Sequence, residues 1–332
     1  MINIKDVAQA AGVSTATVSR VMANKPHVRK EIRERVLAIV EELGYRPNLV
    51  ARNLRAQQSK IIGLIVSDIQ NPFFRYISRA VEDIAHENGY SVILCNNDED
   101  PEKEQMYLQL MQDHNIAGMI LSPTFKASKN FSNISKLQIP MVVIDRRVSD
   151  IEVDNIFIDN VNAACKMTAH MIENGYQRIA GIFGQDSITG QERYEGYVQA
   201  LKEAGMKSAG ELIKFKPPRE ESGYQTTMKL LQLANKPDAI FTSNSLLAAG
   251  ALQAIHDLNL TVPGQVGLST FDDSFWTRLV TPAVTVIDQP AYEMGQTATE
   301  LLMQRINDPE RPTREIILKG NLIIRQSSCK LK

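Results

Sequence analysis

The sequence predicts a small all-α head carrying a helix-turn-helix, joined to an α/β body of two doubly wound parallel-sheet lobes. Three observations carry that fold class. Helical spacing broken by a glycine turn opens the chain, the opening is basic while the rest is acidic, and a strand–helix alternation starts near Lys60 and restarts near Arg178.

Ile4, Val7, Ala8 and Ala11 recur at helical spacing, so Ile4–Ala11 reads as a first helix. Gly12-Val13 is a tight turn in which Gly12 is free to take the left-handed conformation, and Ser14 stands where it can N-cap the next helix, Thr15–Met22. That second helix turns Val18 and Val21 inward and offers Thr15, Ala16, Ser19 and Arg20 outward, small or hydrogen-bonding side chains suited to a major groove. Val28–Leu43 reads as a third helix. Pro47 then sits where a short helix can begin, and Asn48 through Arg55 can form two turns before polar residues lead to Lys60. A helix that short is marginal alone in water, so it should fold only when something docks against it.

Residues 1–60 hold 11 Lys and Arg against 5 Asp and Glu, which leaves 26 against 33 for the remainder of a chain whose net charge is −1. A basic head on an acidic body is the distribution expected of a polyanion-binding module. With 43% hydrophobic and 6% aromatic side chains over 332 residues, the body can hold a full core. No apolar run approaches a membrane span and Met1–Asp6 lacks a signal-peptide profile, so the expectation is a cytoplasmic protein with no membrane partner. Cys95, Cys165 and Cys329 lie far apart, with no CxxC and no histidine at metal spacing. They read as small hydrophobes in a reducing compartment, and neither metal nor cofactor is expected.

From Lys60 onward, Ile61–Val66, Ser91–Cys95, Gly118–Leu121 and Met141–Ile144 are short apolar runs of the kind that fill a parallel sheet, separated by amphipathic stretches near Phe74–Asn88, Glu102–His114 and Asn130–Lys136. The pattern restarts with Arg178–Phe183, Leu212–Phe215, Ala239–Thr242, Val266–Thr270 and Val284–Ile287. Helices are expected between them near Val161–Asn174, Gln191–Ala204, Ser222–Ala234 and Leu246–Leu258. Leu322–Gln326 alternates as a closing strand. Doubly wound lobes bind ligands in the crevice beyond the carboxyl ends of their strands.

Ile4-Lys5-Asp6-Val7-Ala8 followed by Gly12-Val13-Ser14-Thr15-Ala16-Thr17-Val18-Ser19-Arg20-Val21 resembles the head of the lactose and galactose repressor family of bacterial transcription regulators. Gly44-Tyr45-Arg46-Pro47-Asn48, Ala51-Arg52-Asn53-Leu54, Asn71-Pro72-Phe73-Phe74, Ile144-Asp145-Arg146, Thr189-Gly190-Gln191-Glu192-Arg193, Phe271-Asp272-Asp273 and Asp288-Gln289-Pro290 are similar to family motifs in matching order, and the resemblance covers essentially the whole chain. It implies a helix-turn-helix head at 1–46, a hinge helix and linker at 47–60, and a periplasmic-binding-protein-like body at 61–332. In that body lobe 1 would take about 61–160 and 290–320, and lobe 2 about 161–289 and 321–332. It also implies a homodimer on a pseudo-palindromic double-stranded operator, each head reading one half-site. Nothing like the leucine-rich C-terminal helix of the tetrameric members follows Arg325.

For DNA, Thr15 and Ala16 match the positions that distinguish operators within the family, and Arg20 can reach guanine through a bidentate fork. Ser14, Thr17, Ser19 and Asn24 are read as phosphate contacts. Leu54 resembles the residue that wedges into the central base step from the minor groove, with Ala51 beside it and Arg55 near the groove floor. For the effector, the resemblance points to Phe73, Phe74, Arg146, Asp159, Arg193, Phe241, Asn244, Asp272 and Trp276 around the crevice. Arg193 offers a five-donor fork and Asp272 two acceptors, the combination that holds adjacent sugar hydroxyls. The purine-binding member of the family has a tryptophan where Arg146 stands, and most members have an Asp where this chain has Ser245. The expected effector is a sugar, with a sugar acid or sugar phosphate behind it; a nucleobase or nucleoside corepressor is the alternative. A secreted solute-binding protein would share the body but not the basic head. An enzyme would need reactive groups, yet GxGxxG, GxSxG, Walker A and HExxH motifs are all missing, and His27, His86, His114, His170 and His256 have no evident triad partners.

Overall fold

A computed structural model describes residues 2–22, 25–45, 59–125, 134, 137–148, 152–207 and 209–330. The chain divides into two compact units, residues 1–59 and 60–332. In the first, α1 (Ile4–Ala10) begins at Asn3, whose side chain accepts from the Lys5 and Asp6 amides while Asp6 accepts from the Asn3 amide, a reciprocal capping box. Gly12 takes φ +63°, which turns the chain into α2 (Thr15–Met22), and α3 (Lys30–Glu42) packs across both. Val7, Ala8, Ala11, Val18, Val21 and Val36 form the small core between the three.

The second unit holds two six-stranded sheets of matching order. In the first, β1 (Ile61–Val66), β2 (Ser91–Asn96), β3 (Gly118–Leu121), β4 (Met141–Ile144), β5 (Asp154–Ile158) and β11 (Glu315–Leu318) run in the order β11-β5-β4-β3-β1-β2. In the second, β6 (Ile179–Gly184), β7 (Ile213–Lys216), β8 (Ala239–Thr242), β9 (Gly267–Phe271), β10 (Thr285–Asp288) and β12 (Asn321–Ile323) run β12-β10-β9-β8-β6-β7. All neighbours are parallel except β12, which runs antiparallel to β10. The chain therefore crosses between the lobes three times: after β5, after β10, and at Gly320. A Cβ on Gly320 would stand 2.8 Å from Ile287 and 3.7 Å from Ile158, so the three crossings lie against one another.

Helices cover both faces of each sheet, as parallel sheets require. In the first lobe α4 (Pro72–Glu87) and the late helix Ala291–Asn307 bury Phe74, Ile77, Val81, Met294 and Leu302 on one face, while the helix Pro101–Asp113 buries Leu108 and Met111 on the other. In the second lobe Asn160–Glu173 and Ile188–Glu203 cover one face, and Glu220–Leu231 and Ser245–Asp257 the other.

Four elements were absent from the sequence reading: β5, β11, the short helix Phe275–Leu279 and the helix Ala291–Asn307. β5 opens on Asp154 and Asn155, which mask an apolar run. Asp154 is tolerated inside because Arg305 pairs with it at 2.9 Å and the Arg314 amide donates to it at 2.9 Å. Ala291–Asn307 carries Gly295 and two threonines of modest helix propensity, but Gly295 lets it close on Ile77 of α4, and packing decides the outcome. The stretch predicted as a helix at Asn130–Lys136 lies, apart from Ile134, outside the described residues.

Glycines set the helix contacts of the second lobe. A Cβ on Gly250 would meet the Glu220 carbonyl at 1.9 Å, and one on Gly223 would meet the Leu247 carbonyl at 2.2 Å. Both obstacles are backbone and cannot swing aside. Gly250→Ala should therefore lower stability by about 1–3 kcal/mol despite its better helix propensity; an unshifted urea midpoint would show that the two helices separate freely.

Candidate functional site

The head presents the predicted face. Thr15, Ala16, Ser19 and Arg20 are exposed along α2, while Val18 and Val21 are buried beneath them. Ser14 caps the helix: its hydroxyl accepts from the Thr17 amide at 3.2 Å and lies 3.0 Å from the Thr17 hydroxyl. Arg33 donates to the Lys25 carbonyl at 2.7 Å, tying the segment that follows α2 to α3. Asn24, Ala51, Leu54 and Arg55 lie outside the described residues.

In the body, a cavity of about 260 Å³ opens between the two lobes where the strands end. Its lobe 1 wall comes from the residues that follow β1, β2 and β4, namely Ser67-Asp68, Asp98-Glu99 and Asp145-Arg146, with Phe73 and Phe74. Its lobe 2 wall comes from those that follow β6, β7 and β8, namely Gln185-Asp186, Pro217–Arg219 and Ser243-Asn244, with Arg193. Asn71 caps α4 by accepting from the Phe73 amide at 3.0 Å and Pro72 begins the helix, so Phe73 and Phe74 arrive in its first turn as an edge-to-face pair with centroids 5.1 Å apart.

Arg193 stands where the chain crosses between the lobes. Gly190 and Gly196 stand one turn before and after it on the same helix face, against the backbones of Gly184 and Val161, and that close seating delivers the guanidinium to the crossings. It donates to Asn160 Oδ1 at 2.8 Å on the first crossing, to the Ser243 carbonyl at 2.6 Å, and to Gln289 Oε1 at 3.2 Å on the second crossing. Its plane lies 4.0 Å over the Phe271 ring. Gln289 then donates to Asp272 Oδ1, so the amide bridges Arg193 to Asp272. The second Asp272 oxygen is buried without a partner. Burial lowers the Arg193 pKa against the opposing charges of Asp272 and Asp145, and raises that of Asp272 against the opposing charge of Arg193.

Of the nine predicted effector residues, Phe73, Phe74, Arg146, Arg193 and Asn244 line the cavity. Asp272 stands behind Gln289 on a smaller recess that it shares with Phe73 and Tyr76. The other three are corrected. Asp159 is exposed and caps the helix that follows it, accepting from the Asn162 amide at 3.0 Å. Phe241 is fully buried among Phe183, Tyr197 and Phe271, because its position in β8 faces the helices and not the strand's end. Trp276 packs half-buried against the lobe 2 core from its short helix. Asn244 caps Ser245–Asp257 through the Leu247 amide at 2.9 Å, while Ser245 leaves its hydroxyl buried without a partner.

Gln289, Asp145 and Glu99 were missed as site residues. Gln289 and Asp145 belong to the motifs Asp288-Gln289-Pro290 and Ile144-Asp145-Arg146, and their positions just beyond β10 and β4 are the signal that marks them. Asp145, 8% exposed with φ +70°, has the Arg146 Nε at 3.5 Å as its ionic neighbour. Burial raises its pKa, with Arg146 and Arg193 opposing. Among the described residues no cluster of His, Cys, Asp or Glu could hold a metal ion, and no helix is long and apolar enough to cross a membrane.

Comparison with known proteins covers both units. Residues 3–48 match the model for bacterial regulatory proteins of the lacI family, and residues 168–328 match that for a periplasmic binding protein-like domain. The chain is 36% identical to the ribose operon repressor of Halalkalibacterium halodurans over 329 residues, covering 99% of this chain and 97% of that one. It is 32% identical over 334 residues to the transcriptional repressor PurR of Aliivibrio salmonicida, covering all of both. Among solved structures, the lac repressor dimer bound to operator and the anti-inducer ONPF is similar with a TM-score of 0.85 at 25% identity, over 98% of this chain and 99% of that one.

The raised Asp145 pKa has a direct consequence. An acid whose folded value lies above its ordinary 3.8 is costlier to ionise in the folded state, so the folded protein loses stability as pH rises from 3.8 to the folded value. Asp145→Asn should accordingly raise the melting temperature at neutral pH, and the gain should vanish toward pH 3.8. A lower melting temperature at neutral pH would mean that its pairing with Arg146 outweighs desolvation.

Proposed function

Because this chain belongs to the lacI family of bacterial regulatory proteins and is a DNA-binding transcription regulator rather than an enzyme, we propose that it represses carbohydrate uptake or catabolism genes under the control of a sugar effector. The DNA is read by α2, with Arg20 on a guanine, and a homodimer places two heads on a pseudo-palindromic operator. The effector sits between the lobes and acts through its preference for one lobe arrangement, the only way a ligand can shift such an equilibrium.

The make-up of the cleft carries the effector class. Arg193, Asn244, Gln289 and Asp145 offer donors and acceptors at short spacing, as adjacent hydroxyls require, while Phe73 and Phe74 provide an apolar face. The similarity to a ribose operon repressor supports the same reading. A purine corepressor is the second reading, favoured by the similarity to PurR. Against it, a flat base gains most from stacking, and Arg146 takes up wall that an aromatic side chain would use.

Calorimetry over sugars, sugar acids, sugar phosphates and purines separates the two, and tight binding of a purine alone would overturn the sugar reading. Arg193→Ala should abolish the response to the bound sugar while operator affinity stays within about a few-fold, since one guanidinium links the cleft to two of the three crossings. Loss of operator binding in that variant would instead make Arg193 a general support of the fold. Arg20→Ala should cost operator binding about 1–3 kcal/mol more than binding to random DNA; equal losses in titrations at fixed salt would make Arg20 a phosphate contact.

A further inference from the structure

The lobe 1 wall of the cleft contains a guanidinium that already has its anion. Arg146, 3% exposed, would otherwise offer an incoming carboxylate or phosphate a fork of parallel donors. Its Nη1 donates to Glu99 Oε2 at 2.8 Å and to the Pro123 carbonyl, and its Nη2 donates to Glu99 Oε1. The remaining Nε faces Asp145 at 3.5 Å. One cation thus stands between two carboxylates, and its site is negative overall when both are ionised.

The turn that carries Glu99 is fixed from below. Asp98 and Glu99 take φ +53° and +59°, a conformation that disfavours side chains beyond Gly and must be held by its surroundings. Asn97 Oδ1 accepts from the Glu99 amide at 3.0 Å, and Asn97 Nδ2 donates to the Ser122 carbonyl at 3.1 Å and to buried Glu104 at 3.2 Å. Glu104 also accepts from the Thr124 amide at 2.7 Å, which joins the turn to the segment beside Pro123. The backbone is bent to aim the Glu99 carboxylate at Arg146.

We propose that Glu99 acts as a built-in anion that makes the lobe 1 wall of the cleft reject acidic and phosphorylated groups, so that the part of the effector seated against that wall is a polyhydroxyl group either neutral or carrying an ammonium group. The inference rests on the cleft being the effector site and narrows the class of sugar. An anionic group entering lobe 1 would have to displace Glu99 and meet Asp68, Asp98 and Asp145 on the same wall. A hydroxyl or ammonium donor finds acceptors there without displacing anything.

Inorganic phosphate is the probe, titrated against the full-length protein at constant ionic strength by calorimetry and thermal shift. Glu99→Ala should bind phosphate at least about tenfold more tightly than the parent, the scale of freeing one bidentate charge-assisted contact. Adding Arg146→Gln should remove the gain, and any phosphate taken up by the basic head is common to all variants and subtracts out. Glu99→Gln keeps an acceptor for Arg146 and should show a smaller gain in the same direction, so the result does not hang on the alanine variant folding. Parent and Glu99 variants binding phosphate equally, or a gain that survives loss of Arg146, would overturn the proposal. Failure of every sugar to bind would strike the effector reading and leave the phosphate result standing.

Discussion

One desolvated cation ties together two of the segments that pass between the lobes. Arg193 is 5% exposed, and removing a guanidinium from water costs several kcal/mol unless its donors are satisfied. No carboxylate satisfies it directly; a side-chain amide, a main-chain carbonyl and a second amide do, and two of the three lie on chain segments passing between the lobes. Those segments cannot move independently without leaving a buried donor unpaired, a penalty of about 1–3 kcal/mol each time. The same guanidinium borders the cleft.

Where a rule was local, the sequence was enough. Val18 and Val21 against Thr15, Ser19 and Arg20 follow from helical period alone, and strands such as Ile61–Val66 and Ala239–Thr242 follow from apolar runs that only a doubly covered sheet can use. The cleft lining was legible, through the family resemblance, for Arg146, Arg193 and Asn244. It was not legible for Glu99, whose role depends on a partner 47 residues away and on an unusual backbone, or for Gln289, whose role depends on Arg193 at a separation of 96. Phe241 was misplaced for a related reason: an aromatic side chain near a strand's end serves a core or a pocket according to which face it leaves from, and period alone does not distinguish a short strand's two covered faces.

The two walls of the cleft differ in charge. Lobe 1 contributes Asp68, Asp98, Glu99 and Asp145 against Arg146, and lobe 2 contributes Arg193 and Arg219 against Asp186. Unlike charges across a gap favour its narrowing, most strongly once water leaves and the effective dielectric falls. That attraction assists any narrowing of the gap between the two walls. At the mouth, where Arg219 is exposed, that assistance weakens with salt.

The order in which the strands enter the sheets bears on synthesis as well. β11 and β12 are separated by two residues, yet one borders the first sheet and the other the second. On a ribosome, both lobes would wait for the same short stretch to emerge: neither has its full set of strands until residues 315–323 have left the exit tunnel. Until then β5 and β10 lack their outer neighbours, and a nascent chain exposes the edges of two strands that the finished sheets cover. The two lobes are consequently completed together and late, which ties the quality of both to the fidelity of a single segment.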